Sequence, residues 1–457
     1  MQQKKTLADF SGATVLKFIC FSLVGLFVFF VQYEIYVWGV PRNSITVDHV
    51  AWFIRGLFGQ AGAAPGAVRW VALAMIVYGC IRPFVRKTWN KGTSAIIFQC
   101  FRLLGLVFAI LFLTGTAPDW LMSGERAGNM LPFLFNNLAV MLTFLIPLGA
   151  FFLVFLTSFG LMEFIGVFAR PLMRRVYRVP GRAAIDAVGS FVGSYAIALL
   201  ITDKQYREKF YTKREAVIIA TGFSTVSAAF VLVVARTLDI MDYWNLFFWT
   251  SLLITFLVTI VTARTWPVSR IPNEYIDGST EPYAEPVDEH GGIIKTGLFE
   301  AFSAAEHTGG FLKTLGRGLI DGINLSSGFI PTILSIGLVG LLLVEFTPVF
   351  DIMGYLFLPF TWLISFLIDV VPMDMARAVS TSLAEMLLPA VLATEMSLAA
   401  RYVVGVVCVS SILFFSACIP CIKGTSIPVS VWQLVVVWIW RVILSILIAG
   451  VFAAVLF

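Results

Sequence analysis

Charge is scarce in this chain: Asp, Glu, Lys and Arg make up 13% of its residues, and histidine occurs only three times, at His49, His290 and His307. None of these histidines sits in an HExxH pattern or beside a cysteine cluster, so the spacings that hold a catalytic or structural metal are missing. The six cysteines form no disulfide framework, and Cys418-Ile-Pro-Cys421 stands without the second pair that a metal site would need. We read it as packing, or as the turn itself, at a span end. There is no GxSxG, no GxxxxGK[ST] and no GxGxxG following a strand. The expectation is therefore of no enzyme, no metal and no resident cofactor, and of no ATP-driven work by this chain alone.

What is abundant is apolar surface. The chain is 59% hydrophobic, with 42 phenylalanines and a mean hydropathy of +0.90, outside the range of soluble domains. That composition belongs to a multi-pass membrane protein. The formal charge of +5 is carried by basic residues at the ends of apolar runs, where they report topology rather than bind nucleic acid. Lys4 and Lys5 precede an apolar run too long for a signal peptide, which predicts an uncleaved first span over about residues 15–39 with its N-terminus in the cytoplasm. Further spans are expected at about 67–82 and 95–114.

One stretch breaks the pattern. The apolar run from Ala183 to Ile201 lies between two basic clusters, Arg170 to Arg182 and Lys204 to Arg214. A crossing helix would leave one cluster outside, against the positive-inside rule. The run is therefore expected to enter the membrane and return. Its Gly189-Ser-Phe-Val-Gly-Ser194 interior puts small and hydroxyl residues at membrane depth, where irregular backbone is tolerated only if protein buries it or it lines a cavity.

The chain then says the same thing twice. Pro147, Glu163, Gly166 and Pro171 recur in order as Pro331, Asp351, Gly354 and Pro359, and the Gly/Ser run recurs as Ser380-Thr-Ser-Leu-Ala-Glu385. After each run comes a span interrupted by polar residues: Ser224, Thr225 and Ser227 in the first unit, Ser410, Ser411 and Ser416 in the second. The flanks of the first run are basic and those of the second carry Glu345, Asp351, Asp369, Asp374 and Glu395. Two units of opposite charge asymmetry predict an inverted-topology repeat with a site at the repeat interface. We expect an all-α polytopic fold: an N-terminal three-span region (1–130), repeat 1 (131–265), a cytoplasmic linker (266–317) and an inverted repeat 2 (318–457). The linker's proline-rich, acidic first half is expected to be poorly ordered, and Ile293 to Leu319 to form one amphipathic helix.

These landmarks resemble the YjiH family of bacterial inner-membrane proteins, built on the "nucleoside recognition" or Gate domain; the resemblance covers roughly 130–457. It implies a multi-pass protein of the bacterial inner membrane with re-entrant hairpins and broken helices, on a scaffold used by transporters. The expected activity is secondary active transport of a small polar organic solute, nucleoside or amino-acid-like, with H⁺ or Na⁺ as the coupling ion. The alternative is a non-transporting assembly or regulatory protein on the same scaffold. Partners are the solute, the coupling ion and membrane lipid; nucleic acid is excluded and a homo-oligomer left open. The candidate solute-binding residues are Ser190, Gly193, Ser194, Ser224, Thr225, Ser227, Ser382, Glu385, Ser410 and Ser411. The plain alternative for the hydroxyls is that each bonds back to its own helix. Glu385 is singled out as the acid inside the membrane, the receiver of a coupling cation or of an ammonium group.

Overall fold

The structure, a computed structural model, describes residues 7–37, 40–59, 66–90, 93–124, 128–184, 187, 195–224, 228–280, 292–416 and 418–457. Helix α1 (Gly12–Phe30) starts where the Ser11 hydroxyl accepts the amide of Thr14. It stops at Phe30 rather than near residue 39. Beyond it, Gln32–Val37 (β1) pairs antiparallel with Val40–Ile45 (β2), Gln32 opposite Ile45. The alternation of Tyr33, Ile35 and Val37 with polar neighbours suits a hairpin better than a helix. Helix α2 (Thr46–Gly59) follows, then α3 (Ala67–Val85) and α4 (Thr93–Thr114). These last two lean on the backbone of a later helix, α12 (Phe311–Phe346). A Cβ added to Gly79 would lie 1.7 Å from the Ser327 carbonyl oxygen, and one on Gly105 2.0 Å from that of Pro331. Backbone-to-backbone approach of this kind is what small residues permit between membrane helices.

The repeat is visible in the packing of α5 (Val140–Thr157) against α12. Ser326 donates to the Leu142 carbonyl at 3.0 Å; Gly322 lies against Pro147, and Gly318 against Val154. Numbers rise along one helix as they fall along the other, so the two run antiparallel. Pro147 and Pro331 are 184 residues apart, and so are Leu142 and Ser326. Counterparts that touch each other lie on a pseudo-two-fold axis. The Val154–Gly318 contact has a near-image at Leu134, which packs against Gly337, one residue short of the position that this offset gives.

The remaining elements follow in the same order twice. In the first unit α6 (Leu161–Leu172) leads toward α7 (Tyr195–Arg207), the described part of the predicted hairpin. Next come α8 (Lys213–Gly222) and α9 (Ala228–Thr237), two halves of one interrupted helix, and then α10 (Trp244–Thr262). After α11 (Ile293–His307) and α12, the second unit has α13 (Val349–Ile364). Its hairpin is α14 (Pro372–Ser380), a tight turn at Thr381–Leu383, and α15 (Leu388–Leu392). The interrupted helix is α16 (Leu398–Ser410) with α17 (Cys418–Lys423), and α18 (Val431–Leu456) closes the chain. Among the described residues, seven helices are long and apolar enough to cross a membrane; α13 and α16 are shorter apolar helices.

Contacts order the two faces. On one, Arg401 at the start of α16 donates to the Leu238 carbonyl at 2.8 Å, and the Ser397 hydroxyl bonds Asp369 across the base of the second hairpin at 2.5 Å. The rings of Phe457 and Tyr243 meet there at 5.0 Å. On the other face lie Lys17, bonded to the Ala305 carbonyl at 3.0 Å, and Lys213, paired with Glu274 at 2.5 Å. The second hairpin thus stands on the face opposite the basic stretch that follows α7, and the 266–280 segment lies opposite Phe457.

That segment differs from the compositional expectation. Val268, Ile271 and Tyr275 are buried, and Arg214 donates to the carbonyls of Ile271 and Ser269 at 2.8 and 3.0 Å. An apolar residue every third or fourth position is enough to fasten a proline-rich segment beneath α8. Residues 281–291 lie outside the described residues. The single helix expected over Ile293 to Leu319 is two, α11 and α12, divided at Thr308–Gly310, where the paired glycines favour a break.

Candidate functional site

The second interrupted helix breaks among buried residues. In the second unit α16 ends at Ser410, and the chain runs without helix from Ser411 to Phe414. Ile412 has φ of 59°, a left-handed conformation that a β-branched residue adopts only under constraint. The freed amides do not go unused. Phe415 donates to the Leu383 carbonyl at 2.7 Å and Ser416 to that of Ala384 at 3.0 Å, so the break holds the hairpin tip by its backbone. Glu385 sits at that tip, 2% exposed. Its carboxylate accepts from the Ser416 hydroxyl and from the Leu387 amide at 3.4 Å. It makes no ion pair among the described residues. An acid at such depth costs about 3 kcal/mol by insertion scales unless it finds donors or a cation.

The hydroxyls before Glu385 divide between the bland and the functional readings. Ser380, Thr381 and Ser382 each donate to the carbonyl three residues back, at 2.7, 2.6 and 2.7 Å. Ser382 also accepts from the Trp438 indole at 3.0 Å, which ties the hairpin to α18. Ser410 shares a hydrogen bond of 2.6 Å with Ser445, also on α18. Ser411 is buried with no partner for its hydroxyl among the described residues, and the same is true of Ser224, two residues past the end of α8. Ser190, Gly193, Ser194, Thr225 and Ser227 lie outside the described residues.

One residue joins the two breaks. Arg441, in the middle of α18, is completely buried. Its Nε donates to the Ser410 carbonyl at 2.7 Å, the last carbonyl of α16, and its Nη1 donates to the Thr259 hydroxyl at 3.0 Å. The single hydroxyl proton of Thr259 is shared between the Thr255 carbonyl of its own helix at 2.8 Å and the Gly222 carbonyl at 3.0 Å, the last of α8. A guanidinium therefore stands between the C-terminal ends of two half-helices, where the aligned peptide dipoles present partial negative charge. Its Nη2 has no hydrogen-bond partner among the described residues.

Arg441 was not among the residues expected from the sequence, where the last apolar run reads as clean. The signal was present: Arg441 is the one charged residue in the 26-residue helix Val431–Leu456, and an ionisable residue in a span is a functional candidate by default. Ser416 stood out as an interruption of its span, but not as the partner of Glu385. Thr259 carried no signal, since α10 also holds Ser251, Thr255 and Thr262 at helical spacing.

A separate cavity of about 400 Å³ opens at the base of the second hairpin, lined by Val344, Asp369, Asp374, Arg377, Glu395 and Ser397 among others. Arg377 is held there by Asp351 at 2.5 Å. The cavity's lining does not include Glu385 or Arg441.

Comparison with known proteins gives three findings. The chain is 29% identical over 449 residues to an uncharacterized protein of Alkalihalophilus pseudofirmus, covering 94% of this chain and 92% of that one. Solved structures of CNTnw align along its length at low similarity. The inward-facing substrate-bound state gives 14% identity and a TM-score of 0.41, covering 96% of this chain and 99% of that one. The outward-facing state of a doubly substituted CNTnw variant gives 13% and 0.42, covering 95% and 98%. Both scores fall below the level at which a shared fold is established. Residues 138–241 match the Gate family, described as nucleoside recognition, and that interval runs from α5 through both halves of the first interrupted helix.

Proposed function

We propose that this protein is a secondary active transporter that carries a small polar organic solute, a nucleoside or an amino-acid-like molecule, across the membrane by alternating access. The observation that carries this reading is the pair of buried helix breaks meeting around Arg441, with a hairpin packed on the second break. Breaks leave backbone donors and acceptors unpaired at membrane depth, and they are tolerated where they hold a solute or an ion. Antiparallel repeats supply two like halves, each able to close the site from one face. The Gate family's description, nucleoside recognition, is consistent with a polar organic solute.

Glu385 is the candidate for receiving the coupling H⁺ or Na⁺, being a buried carboxylate without a cationic partner among the described residues. Ser224, Ser382, Ser410 and Ser411 are the described hydroxyls that border the breaks. Uptake of labelled nucleosides, amino acids and dipeptides into proteoliposomes tests the reading. Accumulation that collapses when the H⁺ and Na⁺ gradients are dissipated supports it. If folded, reconstituted protein moves none of these solutes, the non-transporting scaffold reading takes its place.

A further inference from the structure

Arg441 uses two of its three nitrogens to hold the ends of α16 and, through Thr259, of α8. The third, Nη2, is enclosed and, among the described residues, unpartnered. A buried donor on a charged group is costly to leave unmade, more so when no carboxylate faces it. Glu385, on the hairpin packed against the second break, is committed to Ser416 and Leu387. Two further buried polar groups without partners among the described residues stand on the same two breaks. One is the Ser411 hydroxyl, next in chain to the carbonyl that Arg441 binds; the other is the Ser224 hydroxyl, two residues past the carbonyl that Thr259 binds. Three unsatisfied donors from three elements thus stand on or beside the two helix ends that Arg441 joins.

We propose that Arg441, Ser224 and Ser411 form a binding site for a compact monovalent anion, and that the carboxylate of the transported solute is its occupant. A neutral acceptor would satisfy the hydrogen bonds and leave the positive charge uncompensated; an anion does both. A carboxylate matches the planar fork of a guanidinium better than a spherical ion does. The two seryl hydroxyls approach from one break each, so a bound carboxylate would be held by both repeats at once. That arrangement couples occupancy to how the repeats sit against each other. With Glu385 on the second hairpin, the site has a cationic and an anionic pole, as a zwitterionic solute requires. The inference rests on the transport reading for how solute reaches an enclosed site.

Thermal unfolding of the detergent-solubilised full chain, titrated with sodium acetate, sodium chloride, L-alanine, L-alaninamide and uridine, tests it. Acetate and alanine are expected to raise the unfolding temperature, and alaninamide and uridine are not. In Arg441→Gln the half-saturating acetate concentration should rise about tenfold or more, the factor that 1.4 kcal/mol represents. Should that variant fail to fold, the Ser224→Ala/Ser411→Ala pair keeps the guanidinium and should weaken acetate binding about threefold or more, by the loss of two modest hydrogen bonds. Protection by chloride equal to that by acetate keeps the anion site and assigns its occupant to a free inorganic anion. No protection by either anion, or equal protection in the parent and in Arg441→Gln, overturns the site and leaves Arg441 a staple for two helix ends. Acetate protection without uptake in proteoliposomes sinks transport alone; uptake without anion protection sinks this inference alone.

Discussion

The half-helices that precede the two breaks end on capped carbonyls, and the two caps are unlike in chemistry. In the first unit the last carbonyl of α8 is met by a hydroxyl, Thr259, from the helix that follows the break. In the second, the last carbonyl of α16 is met by a guanidinium, Arg441, from the helix that follows that break. The two side chains occupy corresponding places, 182 residues apart, and they bond each other at 3.0 Å. A two-fold relation of this kind fixes where the breaks fall and which helix caps them. It does not fix the charge. Among the described residues both buried charges of the crossing, Glu385 and Arg441, belong to the second unit, so a symmetric frame carries a polar, one-sided site.

Experiments can break or sharpen this comparison, beginning with the frame. Cysteines placed at Ser279 and Phe457, in a background with the native cysteines replaced by serine, should react with impermeant reagent from opposite sides of sealed vesicles. Reaction from one side would abolish the inverted relation altogether. The next effect is functional. Glu385→Gln keeps the shape of the hairpin tip and removes its charge, and it should abolish ion-driven accumulation; uptake with unchanged H⁺ and Na⁺ dependence would place the coupling elsewhere. A third change addresses the cap of the first unit. Thr259→Val leaves the Gly222 carbonyl and one Arg441 donor without a partner, a loss of about 1–3 kcal/mol. It should lower the unfolding temperature more than Thr250→Val, whose half-buried hydroxyl in the second turn of α10 accepts only from the Tyr402 hydroxyl; equal losses would mean that the cap is not special.

The smallest effect lies on the other face, where the segment after α10 is fastened. The Asp277 carboxyl accepts from Lys209 at 2.6 Å and from Ser279 at 2.7 Å. These bonds, the one from Lys209 foremost, hold it well below the usual carboxylate range. A depressed folded value means that the contribution is present above the ordinary carboxylate range and lost as pH falls through the folded one. Asp277→Asn should therefore lower stability slightly at neutral pH, with the gap to the parent closing in strong acid. The group is exposed, so salt should shrink the gap as well. A gap that stays constant with pH would show that the pair does not act through charge.

Much of the frame was legible beforehand. Apolar runs located α1, α3 and α4, and the acid, glycine and proline landmarks recur at 188 residues, about a turn from the 184 at which α5 packs on α12. Glu385 stood out as an acid within an apolar stretch, and it is buried. The end of the first span was misjudged because Tyr33, Ile35 and Val37 are as apolar as a helix face, and only their pairing with Val40–Ile45 makes them a strand. The order of residues 266–280 was missed because composition counts prolines and charges, whereas three apolar side chains under α8 do the fastening.

Arg441 divides the two kinds of knowledge. Its presence in an apolar helix was available from the sequence, since a lone charge in a span is a local fact. Its role was not, because the partners that define it, Thr259, Gly222 and Ser410, come from separate elements up to 219 residues away. The sequence alone determined what depends on near neighbours: which stretches are apolar, where basic residues cluster, and that the chain repeats itself. Which carbonyls a buried guanidinium reaches, and which of its donors is left over, was decided only by the antiparallel packing of the two units. Hydrogen bonding acts over about 3 Å in space and takes no account of separation along the chain.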